Sequence, residues 1–351
     1  MSQIQELYRV AGLPVFQNVV YPTAEEARDC PRGDMRLVQD LKTGLIFNAD
    51  FDPSRVDYDA DYQNEQAVSG SFRAHLDRVT EIIRGHFESM DLIEVGCGKG
   101  WFLRHLRESG FTVTGLDPTY EGDDPGIRKE YFGPATGLRG DALILRHVLE
   151  HIPDPVAFLE HLCESNGGKG LIYIEVPCFD WIMEHRSWFD VFYEHVNYFR
   201  LSDFHRIFGR VLESGRVFGE QYLYVVADLS SVMTPAMVDM VDFPEDFAAG
   251  IESSVSRLRE GRSAIWGGSS KGVIFSLMAE RAGVAVDQVF DINPVKQGRY
   301  LPATGIEVKN PERVFELLEP GSNLCVMNSN YLEEIRAMTR NQYRLIAIDQ
   351  L

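Results

Sequence analysis

The 351-residue sequence lacks long apolar runs and an excess of basic residues. No apolar stretch approaches the roughly 18 residues that a bilayer-spanning helix needs, so no membrane segment is expected. Lys and Arg number 34 against 53 Asp and Glu, which gives a net charge of −19. A protein that binds nucleic acid would be expected to present a basic face. The composition therefore argues against DNA, RNA and a membrane as partners.

Cysteine is also scarce, and none of the five cysteines belongs to a Cys-x-x-Cys pair. The spacing therefore predicts neither a zinc site nor a disulfide framework. The N-terminus has no basic region followed by an apolar stretch, so a secretory signal is not expected and a cytoplasmic location follows. The sequence gives no indication of the oligomeric state.

The order of strand and helix patterns divides the chain into three parts. Residues 1–70 form a small N-terminal lobe rich in turn formers. Residues 71–235 begin with a helix over about 71–87 and then alternate strands with helices, which predicts a parallel sheet. The stretch 217–229 is expected to finish this sheet as an antiparallel edge pair. A second alternating unit makes residues 236–351 a C-terminal domain, so the fold class is α/β with two Rossmann-like domains.

The turn after the first central strand predicts a nucleotide-type ligand. Glu94-x-Gly96-x-Gly98-x-Gly100 directly follows a strand and opens a helix. Glycine allows a tight turn and close approach of a ligand, and the helix N-terminus offers unpaired N–H donors. Asp117 ends the next strand, where a carboxylate can accept both hydroxyls of a ribose.

The glycine spacing favours S-adenosylmethionine over a dinucleotide. Dinucleotide sites prefer Gly-x-Gly-x-x-Gly, with a pyrophosphate at the helix N-terminus. Here the spacing is Gly-x-Gly-x-Gly, preceded by the acidic Glu94. That carboxylate would repel a pyrophosphate, whereas it suits the ammonium group of an amino-acid moiety. A glycine-rich turn without a ligand is the alternative.

This pattern resembles motif I of the class I methyltransferases, and residues 141–154 resemble the fourth strand and following turn of that superfamily. The resemblance implies S-adenosylmethionine as cofactor, S-adenosylhomocysteine as product, and contacts from Glu94, Gly96, Cys97, Gly98, Gly100, Asp117, Pro118, Arg146 and His147. The neighbouring Glu150 and His151 suggest a metal site, but no third ligand is near them in the sequence. Capping and packing of the next helix is the interpretation we favour, and no metal is expected.

The acceptor site is predicted in residues 190–199, which follow the last parallel strand. A histidine beside an acid is a typical general base, although a hydrogen-bonded core histidine is the more common role. Glu194-His195-x-x-Tyr198-Phe199 resembles a segment of the nucleotide-sugar C-methyltransferases, which methylate deoxy-keto sugars. Residues 265–272 and 291–302 resemble the C-terminal domain of that family.

This narrower resemblance implies that His195 removes a proton from the carbon beside a ketone. Glu194 would orient His195 or bind the sugar, and Tyr193 would replace a family tyrosine at the position of Phe192. The further acceptor-binding candidates are Tyr198, Asn197, Lys271 and Arg299. The family binds zinc through four N-terminal cysteines, of which this chain has only Cys30, so a lobe without zinc is expected.

Several alternatives stay open. An O- or N-methyltransferase of another natural-product intermediate fits the same residues, and a non-catalytic nucleotide-binding scaffold is the alternative from another class. The loop 267–272 is a candidate NAD site, although a wall of the acceptor pocket is favoured, with Lys296 as a further phosphate-binding candidate. Tyr58 and Tyr62 are candidates for covering the cofactor, with packing of the N-terminal lobe the favoured role.

Overall fold

The computed structural model describes residues 4–56, 67–256, 258 and 264–350. Tyr58 and Tyr62 lie outside these residues. The described strands form three sheets of four, seven and five strands. Among the described helices, none combines the length and apolar character needed to cross a membrane.

The elements are numbered in chain order. The strands are β1 Ile4–Pro14, β2 Arg32–Asp40, β3 Ile46–Asn48, β4 Asp91–Val95, β5 Thr112–Leu116, β6 Ile127–Arg128, β7 Ala142–Arg146, β8 Leu171–Pro177, β9 Asn197–Tyr198, β10 Val211–Val217, β11 Tyr222–Asp228, β12 Ala264–Trp266, β13 Gln288–Phe290, β14 Val308–Lys309, β15 Asn323–Val326 and β16 Arg344–Ala347. The helices are α1 Ala24–Arg28, α2 Gly70–Phe87, α3 Trp101–Glu108, α4 Pro155–Ser165, α5 Phe179–Glu184, α6 Leu201–Ile207, α7 Gly250–Ser256, α8 Ser270–Arg281, α9 Val314–Leu317 and α10 Leu332–Met338.

The N-terminal lobe is more regular than the sequence suggested. Strands β1, β2 and β3 pair antiparallel, and β9 from the following part of the chain completes their sheet. The 11-residue β1 has no fully buried residue before Leu13. An edge strand of this kind lacks the alternation of buried apolar side chains by which strands are recognised in a sequence. The lobe and the central domain therefore share a sheet.

Helix α2 confirms the helix expected over about 71–87. The Ser69 side chain accepts a hydrogen bond from the Phe72 backbone N–H and so caps the helix start. The side chains of Leu76, Val79 and Ile83 are buried along one face. This apolar stripe packs the helix against the central sheet, with Tyr173 and Val226 in the same core cluster.

The central sheet has the order β10-β11-β8-β7-β4-β5-β6. Strands β4 to β8 are parallel, β11 is antiparallel to β8, and β10 is antiparallel to β11. This confirms the α/β Rossmann-like fold with an antiparallel pair at one edge, although that pair begins at Val211 and the stretch 217–229 predicted for it contains only β11 and the end of β10. The chain runs outward from β4 through β5 and β6, and then returns to place β7 on the other side of β4. Ligands of such sheets bind where the order reverses, at the carboxyl ends of these strands.

The C-terminal sheet has the order β14-β13-β12-β15-β16 and is parallel throughout. Its order reverses at β12, which is followed by Gly267 and the start of α8. Backbone and ring contacts are among those that join this domain to the rest of the chain. The backbones of Tyr21 and Tyr300 form an antiparallel bridge, and the rings of Trp188 and Phe275 stack with centroids 5.6 Å apart.

Candidate functional site

Two adjoining cavities lie at the carboxyl edges of the two parallel sheets. The larger, here called the central cavity, has a volume of about 840 Å³ and lies at the reversal between β4 and β7. The smaller, the interdomain cavity, has a volume of about 210 Å³ and is lined by both α/β domains. His147 and His151 line both cavities. A group bound in one cavity can therefore approach a group bound in the other.

Most of the residues predicted to bind the cofactor line the central cavity. They are Glu94, Gly96, Cys97, Gly98, Asp117, Pro118, Arg146 and His147. Gly100 is not in the lining; it caps the start of α3 with φ +74°. The contacts of these residues with a ligand stay a prediction.

A hydrogen bond joins the glycine turn to Asp117. Gly96 has φ +74°, and a Cβ at this position would lie 2.5 Å from the Val148 Cγ2 atom. The Gly98 N–H donates to Asp117 Oδ2 at 2.8 Å, and the Thr119 N–H donates to Asp117 Oδ1 at 2.8 Å. Each of these bonds fixes the carboxylate at the end of β5 beside the turn. A Cβ at Gly96 would disturb this arrangement by pressing on Val148.

Glu94 is a buried acid beside the glycine turn. Its side chain is buried, and its Oε2 atom has no hydrogen-bond partner among the described residues. Burial raises the pKa of Glu94 to about 8, with Asp117 adding to the rise and Arg146 opposing it. A buried carboxylate is stabilised by a charged donor. The ammonium group of an amino-acid moiety would fit this position, as the sequence predicts for S-adenosylmethionine.

The fully buried carboxylate of Glu175 contacts Arg146 and His147, which line the cavities. The Arg146 Nη2 atom donates to Glu175 Oε1 at 2.8 Å, and the Tyr173 hydroxyl donates to Oε2 at 2.8 Å. His75 Nε2 lies 3.1 Å from Oε1, and so does His147 Nε2. Burial raises the pKa of Glu175, but Arg146 and the histidines outweigh it and leave that pKa well below its ordinary value. Glu175 is therefore an anion at neutral pH.

Sequence reasoning missed Glu175 and His75. The signal that could have found Glu175 is a lone acid within the apolar strand β8, whose neighbours Ile174 and Val176 are fully buried. A charged residue in a buried strand needs a partner of opposite charge. His75 lies on the buried face of α2 among apolar residues, and nothing in its spacing indicates which carboxylate it meets.

The turn after β7 places Arg146 and His147 beside Glu175. The Arg146 guanidinium lies over the Phe102 ring, 4.4 Å from its centroid. His147 has φ +52°, so its ring turns back between Glu150 and Glu175. Burial lowers the pKa of His147, but these two carboxylates outweigh burial and leave it raised. Arg146 thus lines the central cavity, and His147 lines both cavities.

In the segment 190–199, some side chains line the interdomain cavity and others contact the N-terminal lobe. His195 lines the interdomain cavity, and its ring centroid lies 4.9 Å from that of His151. Burial lowers the pKa of His195 well below its ordinary value, and His151 and His147 add to this effect. Glu194 and Tyr193 line neither cavity. Their side chains contact the N-terminal lobe: the Gln17 N–H donates to Glu194 Oε1 at 3.2 Å, and the Tyr193 hydroxyl accepts from the backbone N–H of residue 52 at 2.8 Å.

Two of the predicted acceptor-binding residues lie outside both cavities and bond to nearby backbone. The Tyr198 hydroxyl bonds to both the backbone N–H and the backbone carbonyl of Phe192. The Asn197 side chain donates to the Ile152 carbonyl at 2.5 Å. Neither Tyr198 nor Asn197 lines a cavity. In the structure these two side chains hold the backbone around His195.

The predicted basic residues of the C-terminal domain occupy different surroundings. Lys271 lines the interdomain cavity, with its Nζ atom 2.8 Å from Asp190 Oδ2. Arg299 is exposed and lines neither cavity. Lys296 is buried, and its Nζ atom donates to Ser269 Oγ at 2.6 Å. Of these three cations, Lys271 is the one in direct reach of a molecule in the interdomain cavity.

The loop 267–272 lines the interdomain cavity and repeats a feature of the central domain. The Gly268 N–H donates to Asp291 Oδ2 at 2.8 Å, just as the Gly98 N–H donates to Asp117. In both domains a glycine turn after one strand is bonded to an aspartate after the neighbouring strand. The C-terminal turn thus faces the central domain across the interdomain cavity.

Comparison with known proteins identifies the central part of the chain. Residues 67–211 match a family model described as "Methyltransferase domain". The ubiquinone biosynthesis O-methyltransferase of Methylobacterium nodulans is 31% identical over 100 residues, which are 24% of this chain and 40% of that protein. The enzyme of the same name from Paramagnetospirillum magneticum is 30% identical over 105 residues, 26% of this chain and 41% of that protein. The chain thus spans about two-fifths of the length of these relatives.

Two solved structures can be compared with somewhat under half of the chain. The 1,6-didemethyltoxoflavin-N1-methyltransferase of Burkholderia thailandensis, with S-adenosylhomocysteine bound, is 16% identical at a TM-score of 0.33. It covers 44% of this chain and 78% of its own. An S-adenosylmethionine-dependent methyltransferase from Mesorhizobium loti is 14% identical at a TM-score of 0.35, over 45% of this chain and 100% of its own.

The family match, the strand order and the glycine turn agree on one assignment. Residues 67–211 match the methyltransferase-domain model and contain the parallel strands of the central α/β sheet.

Proposed function

We propose that this protein transfers the methyl group of S-adenosylmethionine, bound in the central cavity, to a small-molecule acceptor in the interdomain cavity. The proposal rests on one observation: the two cavities meet at His147 and His151. The sulfonium is already an activated methyl donor, so the protein has mainly to align donor and acceptor. A cavity for each, meeting at a shared wall, provides that alignment. S-adenosylhomocysteine is the product.

The charges of the central cavity support one orientation of the cofactor. Asp117 ends β5 beside the glycine turn, where it accepts the ribose hydroxyls. Glu94, buried and lacking a partner at Oε2, accepts the ammonium group. Arg146 Nε is likewise buried without a hydrogen-bond partner among the described residues, and it is the candidate for the carboxylate. The methyl group then points toward the wall at His147.

For the acceptor, we propose C-methylation of a nucleotide-linked keto sugar. The support is the segment Glu194-His195-x-x-Tyr198-Phe199 together with the position of His195 in the interdomain cavity. The lowered pKa keeps the imidazole neutral, so that it has a lone pair for the proton of the carbon beside the ketone. The carbanion attacks the methyl group in line. Lys271, at the C-terminal wall of the same cavity, is the candidate for a phosphate group of the substrate.

In this proposal Glu194 and Tyr193 position the loop that contains His195 and do not contact the acceptor. The Glu194 carbonyl accepts a hydrogen bond from His151 Nδ1 at 2.9 Å, which fixes His151 beside His195. Tyr193 ties the same loop to the N-terminal lobe. Both residues therefore orient the acceptor side of the site through the loop that contains His195.

O-methylation is the second candidate function, because relatives that match about a quarter of this chain are named ubiquinone biosynthesis O-methyltransferases. A hydroxyl of the acceptor would then lose its proton to His195 and attack the methyl group in the same direction. The two candidates differ in the atom that is deprotonated. With the methyl donor absent, C-methylation predicts exchange of a substrate C–H with deuterated solvent, and O-methylation predicts none.

Titration calorimetry with S-adenosylhomocysteine tests the methyltransferase activity at its first step, and absence of binding would refute it in favour of a non-catalytic scaffold. His195→Ala is expected to lose turnover and to keep the affinity for S-adenosylhomocysteine. His161→Ala, an exposed histidine on α4, is the matched control and should keep both. Unchanged methylation by His195→Ala would remove His195 from the proposed role.

A further inference from the structure

We infer that Glu150, His151 and His195 form a binding site for a divalent transition-metal ion at the boundary between the two cavities. One ligand atom from each residue lies within 4.8 Å of the other two. The sequence shows only Glu150 and His151 together, and the expectation of no metal depended on the lack of a third ligand. The fold supplies that ligand from 44 residues further along the chain.

The chemistry of the three groups is that of a catalytic metal site. Two imidazoles and one carboxylate are a frequent ligand set for Zn²⁺ and related ions, and catalytic sites leave a further position open. Around an ion with bonds of about 2.1 Å, tetrahedral ligand atoms lie roughly 3.4 Å apart. Small inward rotations of the three side chains would bring them to that spacing.

The Glu150 carboxylate is the independent indication that a cation belongs here. Glu150 is 1% exposed, yet neither of its oxygens has a hydrogen-bond partner in the described part of the chain. Its partner among the described ion pairs is His147, whose Nδ1 atom lies 3.4 Å from Oε1. A buried carboxylate with one long contact to an imidazole and no other described donor is costly. Because Glu150 lines the interdomain cavity, an ion there would satisfy both oxygens.

His151 already has the orientation of a metal ligand. Its Nδ1 atom lies 2.9 Å from the Glu194 backbone carbonyl. A carbonyl only accepts hydrogen bonds, so Nδ1 carries the proton and Nε2 carries the lone pair. Metal-binding histidines typically donate their other N–H to a carbonyl or carboxylate in this way. Glu194 thereby acts on the site through its backbone.

The position of the site gives it a role that rests on the proposed function. Glu150, His151 and His195 all line the interdomain cavity, and His151 lines the central cavity as well. An ion held by these three would have its open position toward the acceptor, next to the methyl donor. It would bind and polarise an acceptor oxygen. In the ion-loaded protein His195 is a ligand, and in the ion-free protein its lone pair is available to a proton.

The test uses purified full-length protein that has been stripped with a chelator and titrated with Co²⁺ and, separately, Zn²⁺. We expect one ion per chain, visible absorption bands of protein-bound Co²⁺ and a higher Tm with the ion. Glu150→Gln and His195→Asn should weaken ion affinity by more than the about 10–100-fold that loss of an outer hydrogen bond costs. Far-ultraviolet circular dichroism checks that each variant is folded.

The chain offers a matched control in Glu160-His161, the same dipeptide ten residues further on and exposed on α4. Glu160→Gln and His161→Gln should bind the ion like the unchanged protein. Equal affinity in the Glu150 and Glu160 variants, or no stoichiometric binding of either ion, would overturn the inference. Titration of the same samples with S-adenosylhomocysteine keeps the two proposals apart. Cofactor binding without ion binding refutes the metal site alone, and loss of cofactor binding refutes the proposed function.

Discussion

Replacing Glu175 by Gln should destabilise the protein far more than the loss of one surface ion pair would. Glu175 has a side chain with 0% exposure and faces Arg146, whose side chain is 9% exposed. The change keeps the size of the side chain and removes its charge. The Arg146 guanidinium then stays buried without its anionic partner.

The magnitude follows from burial. Removing one partner of a buried ion pair typically costs 3–5 kcal/mol, because the other charge is left uncompensated. We therefore expect the free energy of unfolding to fall by about 3–5 kcal/mol. For a chain of 351 residues, an unfolding entropy of about 2.1 cal/mol/K per residue gives roughly 1.4 °C per kcal/mol, so the Tm should fall by roughly 4–7 °C. Affinity for S-adenosylhomocysteine should fall as well, since Arg146 loses its orientation.

Glu213 provides the control, because its carboxylate also accepts a tyrosine hydroxyl and faces a histidine. The Tyr224 hydroxyl donates to Glu213 Oε1 at 2.7 Å, and His86 Nε2 lies 2.6 Å from Oε2. The Glu213 side chain is 40% exposed, so Glu213→Gln should cost about 0–1 kcal/mol. Urea unfolding followed by circular dichroism compares the two variants with the unchanged protein. Equal losses would refute the reasoning from burial.

The pH dependence gives a second check on the same variant. The folded-state pKa of Glu175 lies well below its ordinary value, so Glu175 contributes stability above the unfolded pKa of about 4.3. This contribution is lost as the pH falls through the folded-state pKa. The stability difference between the unchanged protein and Glu175→Gln should therefore be full at pH 7 and shrink in acid. A difference that grows on acidification would contradict the assignment of Glu175 as an anion.

Three further predictions concern the central cavity. Gly96→Ala should weaken binding of S-adenosylhomocysteine in calorimetry more than Gly98→Ala does: both residues have positive φ, but an added Cβ meets Val148 only at position 96. Glu94→Gln should raise the Tm at pH 9 and weaken cofactor binding. Burial raises the Glu94 pKa to about 8, so the stability that the protonated Glu94 contributes to the folded protein is lost as the pH rises through that value. An equal gain in Tm at pH 5 would contradict this. Asp117→Asn should weaken binding by roughly 10–150-fold, the equivalent of a charged hydrogen bond of about 1.5–3 kcal/mol, and unchanged affinity would place the ribose elsewhere.

The local pattern of the sequence determined the central and C-terminal sheets and the cofactor turn. Buried parallel strands are short apolar runs that alternate with helices, and this signal lies within a few neighbouring residues. The glycines that need positive φ, the acid two residues before them and Asp117 at the next strand end are local features too. The sequence pattern did not predict the long edge strand β1, because only the last two residues of this strand are fully buried.

Tertiary structure decided which side chains meet. Tyr193, Glu194 and His195 are consecutive, yet only His195 lines the interdomain cavity, because the chain turns at Tyr193-Glu194, where the His195 N–H donates to the Phe192 carbonyl at 3.2 Å. Glu175 and His75 are 100 residues apart and meet through the packing of α2 on β8. The same folding brings His195 to the pair Glu150-His151. Contacts between residues so distant in the chain depend on how the elements pack, and no spacing within the sequence encodes them.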